Sequence, residues 1–143
     1  MPYPAIVALN EHSATLHYQH LNRTPGINLS LLIDAGCMVN GYASDITRTY
    51  SDNPEFGAII EAMHELQLKL CSAVRAGTDF KDLHNTAHHA IAGLMQETGI
   101  INCPADKAVE YGLSRVFFPH GLGHFLGLQV HDVGALLSST NED

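Results

Sequence analysis

The feature that most constrains this chain is the dipeptide Asn40-Gly41, in the middle of residues 32–50, LIDAGCMVNGYASDITRTY. Asn-Gly between alternating apolar residues is the strongest short-range signal for a β-hairpin. If Asn40 and Gly41 form the loop, Val39 pairs with Tyr42. The stretch therefore predicts two antiparallel strands joined by a tight turn.

Two acids, Asp34 and Asp45, lie eleven residues apart on this hairpin. The register places Gly36 opposite Asp45, with Asp34 two residues further along the same strand. Side chains two apart share a face, so the carboxylates are diagonal neighbours, roughly 7–8 Å apart at Cα. Like charges about 5 Å apart repel by about 3 kcal/mol at an effective dielectric constant of about 20. Either one carboxyl holds a proton or a cation lies between them, and we weigh a divalent metal against two solvated acids beside a turn.

The composition is that of a globular protein the size of one domain, with 143 residues, 45% of them apolar and 15% charged. Seven basic and 15 acidic residues give a net charge of −8, which disfavours binding to nucleic-acid phosphates. No apolar run reaches the ~18 residues of a membrane span, and the N-terminus lacks signal-peptide features. Three widely spaced cysteines indicate reduced thiols. We therefore expect a cytoplasmic protein without nucleic-acid or membrane partners.

The periodic segments predict an α+β fold. Strands are expected over residues 5–9, 14–18, 27–34 and 46–50, with a turn at Pro25-Gly26 in the connecting loop. Helices are expected from the Asn53-Pro54 cap to Ala76-Gly77, from Thr78-Asp79 to Gly99, and more briefly over residues 104–113. The apolar stripes of the first two helices are expected to pack on the apolar face of an antiparallel sheet.

Three of the ten histidines, His120, His124 and His131, lie in a glycine-rich segment, residues 117–134, FFPHGLGHFLGLQVHDVG. Glycine weakens helices and strands, so this segment favours a loop that encloses a ligand. A fourth histidine, His17, lies on the predicted strand upstream of the hairpin. Together with two acids on one face, the four favour a metal site with acid and base groups.

His84 and His88 have the four-residue spacing of a zinc-binding pair on the second predicted helix. The residues between them lack the glutamate of an HExxH motif. We therefore interpret the pair as surface or boundary residues, and extend that interpretation to the remaining histidines, His12, His20, His64 and His89.

Three stretches, LLIDAGCMVNGYASDITRTYS, PHGLGHFLGLQVHDVG and the upstream NEHSATLHY, resemble the pita-bread metallopeptidases. The resemblance is strongest to bacterial Xaa-Pro dipeptidases (prolidases), whose relatives include organophosphorus acid anhydrolases, and it covers essentially the whole chain. It implies an incomplete pita-bread fold over residues 1–143, with an antiparallel sheet and helices packed on one face. It also implies hydrolysis of dipeptides that end in proline.

The resemblance implies a set of metal ligands. Asp34 resembles the acid that binds one metal ion, Asp45 the acid that bridges two, and His124 the histidine that binds the other. The expected cofactors are two divalent ions, with Mn²⁺ first and Co²⁺ or Zn²⁺ as alternatives.

The resemblance also implies residues that act on the substrate. His131 and His17 resemble histidines that contact the substrate and the tetrahedral intermediate, and His120 resembles a further histidine of the pocket. Tyr3 matches a tyrosine that contributes to the substrate pocket. The substrate-binding set is thus Tyr3, His17, His120 and His131, and the three histidines are the catalytic candidates.

This chain departs from the family pattern in one respect. The family has five protein ligands, and two of them are glutamates well beyond the HDVG motif, where Glu142 follows His131 too closely to match either. We therefore expect a fragment that lacks the N-terminal domain and the C-terminal part of the catalytic domain, holds metal weakly, shows little or no peptidase activity alone, and self-associates. The alternatives are an aminopeptidase P, a methionine aminopeptidase-like enzyme and a non-catalytic pita-bread binding module.

Overall fold

A computed structural model describes residues 1–21, 27 and 29–134, and the chain divides into two compact units. The described residues within 1–52 and 123–134 form the strand unit, and residues 53–122 form the helix unit. The β-strands of the described residues lie in the strand unit and their α-helices in the helix unit. The mixture of helices and antiparallel strands confirms the predicted α+β class.

The strand unit contains a three-stranded antiparallel sheet and a short hairpin. The sheet has the order β1-β2-β5 and consists of β1 (Ile6–Leu9), β2 (Ser30–Ala35) and β5 (Ile46–Ser51). The hairpin consists of β3 (Met38–Val39) and β4 (Tyr42–Ala43). Three predicted strands are thus confirmed, with β2 in the centre of the sheet.

The hairpin turn forms where the sequence predicts it. Val39 pairs with Tyr42, and the two loop residues have positive φ angles, 52° for Asn40 and 85° for Gly41. Positive φ at both positions is the requirement of a type I′ turn, which Asn-Gly meets at low cost. The turn therefore fixes the register of everything that follows it.

That register continues past a local break in the ladder. Between the hairpin and the main sheet, the Ser44 amide donates to the Cys37 carbonyl oxygen at 2.9 Å. Beyond the break, Asp34 lies opposite Thr47, which is the partner that the hairpin register assigns to it. Asp45 lies at the break itself, one residue before β5. The predicted placement of the two acids on one hairpin is confirmed.

The predicted strand over residues 14–18 is wrong. Residues Asn10–Ala14 form a short 3₁₀-helix followed by a turn. The side chain of Asn10 donates to the Ile27 carbonyl oxygen at 2.9 Å and accepts from the amides of Leu29 and Ser30 at 2.8 and 3.1 Å. A side chain that satisfies backbone groups around the start of β2 competes with an extended strand and favours a turn. The predicted turn at Pro25-Gly26 lies outside the described residues.

Four helices are described in the helix unit: α1 (Pro54–Ala73), α2 (Phe80–Glu97), α3 (Ala105–Glu110) and α4 (Leu113–Phe117). The predicted starts are confirmed, because the Asn53 side chain accepts from the Phe56 amide at 3.0 Å and the Asp79 side chain accepts from the Lys81 amide at 2.7 Å. Such side-chain caps satisfy amides that have no partner within the helix.

The core of the helix unit is built on α2. Its buried apolar residues, joined by Ala108 of α3, are Leu83, Ala87, Ile91, Ala92 and Met95. No residue of α1 is fully buried, although Ile59, Ile60, Leu66 and Leu70 of its predicted apolar stripe are half-buried. Within this unit α2 contacts all three other helices, whereas α1 contacts α2 alone among them. Other members of the α1 stripe stay accessible, as at Phe56 and Met63, which are 40% and 38% exposed.

Two further sequence expectations concern the described residues. None of their helices is long and apolar enough to cross a membrane. Cys37, Cys71 and Cys103 are all free thiols, which agrees with the expectation of reduced cysteines.

Candidate metal centre

The phenol of Tyr3 links the two acids of the hairpin. Its hydroxyl oxygen lies 2.6 Å from Oδ1 of Asp34 and 2.9 Å from Oδ1 of Asp45. Both carboxylates therefore emerge on the same face, as predicted. One hydroxyl has one proton and cannot fully satisfy two ionised carboxylates. The arrangement therefore retains the excess negative charge that a further proton or a cation would balance.

This environment keeps the phenol protonated. Partial burial raises the pKa of Tyr3 well above its ordinary value, and the hydrogen bonds and negative charges of Asp34 and Asp45 raise it further. At neutral pH Tyr3 is therefore a hydrogen-bond donor to the acids. It holds the two carboxyl groups close together without neutralising them.

His124 brings a nitrogen to the same place. Its Nε2 lies 3.2 Å from Oδ2 of Asp45, and its Nδ1 lies 3.0 Å from the carbonyl oxygen of Phe125. Since a carbonyl oxygen can only accept, we assign the proton to Nδ1. In a neutral ring the lone pair of Nε2 then faces a carboxylate oxygen. That pairing is favourable if the ring is protonated or if a cation lies between the two atoms.

His131 completes a group of ligand atoms. One such atom from each of Asp45, His124 and His131 lies within 4.8 Å of the others. The rings of the two histidines are 4.3 Å apart at their centroids, in an edge-to-face arrangement. The family resemblance makes His131 a substrate contact. In the structure its ring also lies beside His124, one of the expected metal ligands. Asp34 joins the group through the Tyr3 phenol.

The segment that carries both histidines is closed by Asp132. The Asp132 amide donates to the Phe125 carbonyl oxygen at 3.0 Å, and its Oδ2 accepts from the Leu128 amide at 3.0 Å. These bonds turn the chain tightly between His124 and His131, so that the two rings meet. Sequence reasoning missed Asp132 as a structural member of the site. The available signal was an acid within a glycine-rich turn, where Asp commonly bonds to nearby amides.

The same segment is attached to the tip of the hairpin. The Tyr42 hydroxyl donates to the Leu126 carbonyl oxygen at 2.7 Å, and the Ala43 amide donates to the Gly127 carbonyl oxygen at 2.8 Å. Residues from two distant parts of the sequence are thereby held in one register. The role of Tyr42 was also missed, since no local sequence pattern predicts a contact between residues 84 positions apart.

The remaining predicted site residues are His17 and His120. His17 lies in the turn after the 3₁₀-helix, with a φ of 55°, and none of the described contacts of the centre includes it. The predicted strand that was to carry it is absent, which accounts for the difference. His120 belongs to the helix unit, where its ring packs edge-on against Phe118 at 4.8 Å between centroids.

The donor set fits divalent ions. Carboxylate oxygens and imidazole nitrogens together suit Mn²⁺, Co²⁺ and Zn²⁺, and two acids close together offer the charge that such ions need. The side chains are accessible enough to exchange a ligand, at 20% exposure for Asp45 and 38% for His124. Asp34, Asp45, His124 and His131 could therefore hold metal at this end of the hairpin.

Comparison with known proteins agrees with this chemistry. Curated relatives include an Xaa-Pro dipeptidase of Marinobacter nauticus, 49% identical over 99% of this chain, and one of Xanthomonas axonopodis pv. citri, 51% identical over 97%. The chain spans about a third of the length of these relatives, 34% and 32% respectively.

Solved structures with the same fold include aminopeptidases. A zinc-substituted aminopeptidase P of Escherichia coli in complex with product is 32% identical, with a TM-score of 0.83 over 93% of this chain and 31% of its own. The aminopeptidase PepP of Pseudomonas aeruginosa is 30% identical, with a TM-score of 0.85 over 96% of this chain and 32% of its own. These matches confirm the pita-bread class. The family model of metallopeptidase family M24 matches residues 1–143, and the chain belongs to that family.

Proposed function

We propose that the protein to which this chain belongs is a metal-dependent dipeptidase that cleaves Xaa-Pro dipeptides. The relatives named Xaa-Pro dipeptidase are 49–51% identical to the chain, whereas the aminopeptidases among the solved structures are 30–32% identical. The higher identity favours the dipeptidase over the aminopeptidase P alternative.

The observation that carries the proposal is the convergence of Asp34, Asp45 and His124. Two carboxylates share one phenol proton, and Nε2 of His124 faces a carboxylate oxygen at 3.2 Å, which in a neutral ring sets a lone pair against it. A divalent cation would relieve both conflicts. We assign Asp34 to one metal ion, Asp45 to the bridge between two and His124 to the other, with Mn²⁺ as the expected metal and Co²⁺ or Zn²⁺ as alternatives.

When bound, a pair of such ions lowers the pKa of a shared water toward neutrality and so supplies a hydrolytic nucleophile. The residues of this chain have other tasks. Tyr3 holds the carboxylates in position by donating to both. His131 lies beside His124 and can donate to the oxygen that becomes negative as the peptide carbonyl is attacked. Such a donor is typically worth ~3–4 kcal/mol in the barrier.

The chemistry of proline determines what an Xaa-Pro dipeptidase must recognise in its substrate. A peptide bond to proline has no N–H, so the enzyme must select for ring shape and for the free termini of the dipeptide. We assign substrate contacts to Tyr3, His17, His120 and His131. Tyr3 and His131 lie at the candidate metal centre, whereas His17 and His120 rest on the resemblance.

The 143-residue chain carries three of the family's five expected metal ligands. We therefore propose that it is part of a catalytic domain, binds metal weakly and shows little or no hydrolysis by itself. A cytoplasmic location is part of the same proposal, and cell fractionation would test it.

The test begins with the coding sequence on both sides of these 143 codons, in which we expect two glutamates beyond the HDVG motif. The encoded protein is then assayed with Mn²⁺ on Gly-Pro, on a tripeptide with proline second and on a methionine-initiated tripeptide. We expect Gly-Pro to be cleaved best, and Asp45→Asn to abolish cleavage. Preference for either tripeptide would indicate an aminopeptidase instead, and no cleavage despite bound metal would indicate a binding module.

A further inference from the structure

Helix α2 carries a second pair of converging imidazoles. Nε2 of His84 and Nε2 of His88 are 3.2 Å apart, and the two rings meet edge to face with centroids separated by 4.6 Å. His88 is 6% exposed, so the sequence-based interpretation of this residue as a surface or boundary histidine is wrong. The pair lies within the helix unit and takes no part in the proposed peptidase chemistry.

The separation of these nitrogens fits a shared metal ion. Imidazole nitrogens bind Zn²⁺ at ~2.0–2.1 Å, so two of them lie about 3.4 Å apart around a tetrahedral ion and about 2.9 Å apart around an octahedral one. The 3.2 Å between His84 and His88 falls between these two values. The side chains therefore need little rearrangement to bind one ion together.

His88 is held as metal-binding histidines usually are. Its Nδ1 lies 3.0 Å from the hydroxyl oxygen of Ser114, which is itself 1% exposed. A ligand histidine typically donates its other ring N–H to a fixed partner, which sets the tautomer and aims the free nitrogen. If Nδ1 donates to Ser114, Nε2 carries the lone pair that faces His84.

A direct hydrogen bond between the two histidines does not complete their hydrogen bonding. It would use both Nε2 atoms, but Nδ1 of His84 is buried and has no partner among the described residues. Buried polar atoms are usually satisfied. An ion bound through Nε2 would leave this Nδ1 without a protein partner as well, so the metal site is inferred from the Nε2 separation and the Ser114 contact.

The space beside the pair determines which ions could bind. A cavity of about 330 Å³ is lined by His84, His88, Arg115, Phe118, Pro119, His120 and Gly121. It has room for waters or a small anion to complete the coordination. No carboxylate lines it, so ions that prefer imidazole, such as Zn²⁺ and Cu²⁺, are favoured over Mn²⁺. The positive charge of Arg115 favours an anion as an additional ligand and keeps the affinity below that of a site with four protein ligands.

We propose that His84 and His88 form a metal site of the helix unit that binds one Zn²⁺ or Cu²⁺ ion, with solvent or a small anion completing its coordination. An ion bound by residues four apart joins two successive turns of α2 and thereby stabilises the helix. Its two ligands are not among the residues assigned to the peptidase, although His120, a proposed substrate contact, lines the same cavity.

The test uses the full 143-residue chain with Asp45→Asn and His124→Gln, which remove two ligand candidates of the other centre. Calorimetric titration with Zn²⁺ should give one binding event per chain. Adding His84→Gln should weaken that event by at least about tenfold, since the loss of a supporting partner alone often costs 10- to 100-fold. His89→Gln is the matched control, because His89 lies on the same helix, half-exposed, and faces Asp106 at 3.3 Å.

Unchanged Zn²⁺ binding in the His84→Gln variant, or an equal loss in the His89→Gln variant, would overturn the proposal. Circular dichroism in the presence of a chelator checks that each variant is folded. If His84→Gln fails to fold, electron paramagnetic resonance of Cu²⁺ in the Asp45→Asn, His124→Gln background decides. Coupling to two imidazole nitrogens supports the site, and coupling to one or none excludes it.

Discussion

Nε2 of His124 lies 3.2 Å from Oδ2 of Asp45, although the two residues come from distant parts of the sequence. The hairpin supplies the acid, and the turn closed by Asp132 supplies the imidazole. If the ring proton is on Nδ1 alone, Nε2 turns a lone pair toward the carboxylate, and a cation between the two atoms would accommodate both groups. The first prediction follows from that geometry.

Replacing Asp45 with Asn should weaken Mn²⁺ binding by at least about tenfold, because the amide keeps the shape of the side chain but removes the negative charge that attracts the ion. Calorimetric titration of the 143-residue chain measures this directly. Asp52→Asn is the matched control, since Asp52 is an exposed acid just after β5. Equal affinity in the wild type and Asp45→Asn would favour a binding module without a metal centre.

The raised pKa of Tyr3 predicts a loss of stability at alkaline pH. Burial, together with the two hydrogen-bonded carboxylates, raises the pKa of Tyr3 above its ordinary value of 10.0. Below pH 10 the phenol keeps its proton in both the folded and unfolded chains, so its contribution to stability is fully present. Above pH 10 the unfolded chain releases that proton first, so the free energy of unfolding falls.

The measurement is urea unfolding of the metal-free chain between pH 8 and pH 11. Tyr3→Phe has no such proton and should show a smaller decline than the wild type over this range. Tyr111→Phe, at a tyrosine that is 68% exposed, should decline as the wild type does. A wild-type slope that persists in Tyr3→Phe would contradict the assigned role of the phenol.

The lowered pKa of His88 predicts a loss of stability at acid pH. Burial lowers the pKa of His88 below its ordinary value of 6.5, and the charges of His84, Arg115 and His89 lower it further. Above pH 6.5 the ring is neutral in both states and its contribution to stability is complete. As the pH falls below 6.5, the His88 ring binds a proton more readily in the unfolded chain than in the folded chain, so the free energy of unfolding falls.

Nuclear magnetic resonance of the His88 ring protons in the metal-free chain tests this assignment. The titration midpoint should lie below 6.5, and Ser114→Ala, which removes the hydroxyl beside Nδ1, should leave the ring buried but change its shifts. A midpoint at or above 6.5 would show that the ring is more open to solvent than its 6% exposure implies.

The sequence was a good guide wherever local chemistry decides the structure. Asn40-Gly41 determined the hairpin turn and, through its register, the shared face of Asp34 and Asp45. Asn53 and Asp79 marked helix starts because a side chain of that type satisfies amides at a helix N-terminus. In each case the deciding interaction joins residues close together in the sequence.

The sequence was a poor guide wherever a distant contact decides. The strand predicted around His17 does not form, because Asn10 bonds to backbone groups before β2 and the chain turns instead. The burial of His88 depends on Ser114, and the position of the loop beyond His124 depends on the Tyr42 hydroxyl. Periodicity carries no information about such partners.

Exposed apolar surface predicts that the chain self-associates. β1 and β5 are the outer strands of the sheet, and Tyr50 on β5 is 55% exposed. Open strand edges and apolar side chains of this kind favour pairing with another chain. Sedimentation velocity should show a coefficient that rises with concentration, and Tyr50→Lys should reduce the rise by placing a charge at the edge. A wild-type chain that stays monomeric would contradict this expectation.

Gly127 offers the sharpest test of how the histidine turn is held. A Cβ atom at this position would overlap Oδ2 of Asp132, the atom that accepts from the Leu128 amide. Gly127→Ala should therefore displace that carboxylate, loosen the turn between His124 and His131, and weaken Mn²⁺ binding by about tenfold, as expected when a supporting partner of metal ligands is lost.

Gly123→Ala is the control for that substitution, because a Cβ atom at Gly123 meets no described atom within 4 Å. It adds the same methyl group immediately before His124 and should leave metal affinity within about twofold of the wild type, since surface substitutions away from such contacts usually cost no more than about 0.5 kcal/mol. Calorimetry of both variants, with circular dichroism to verify folding, separates a specific effect at Asp132 from general intolerance of alanine in this glycine-rich segment. Equal losses in the two variants would mean that the Asp132 contact does not position the histidines.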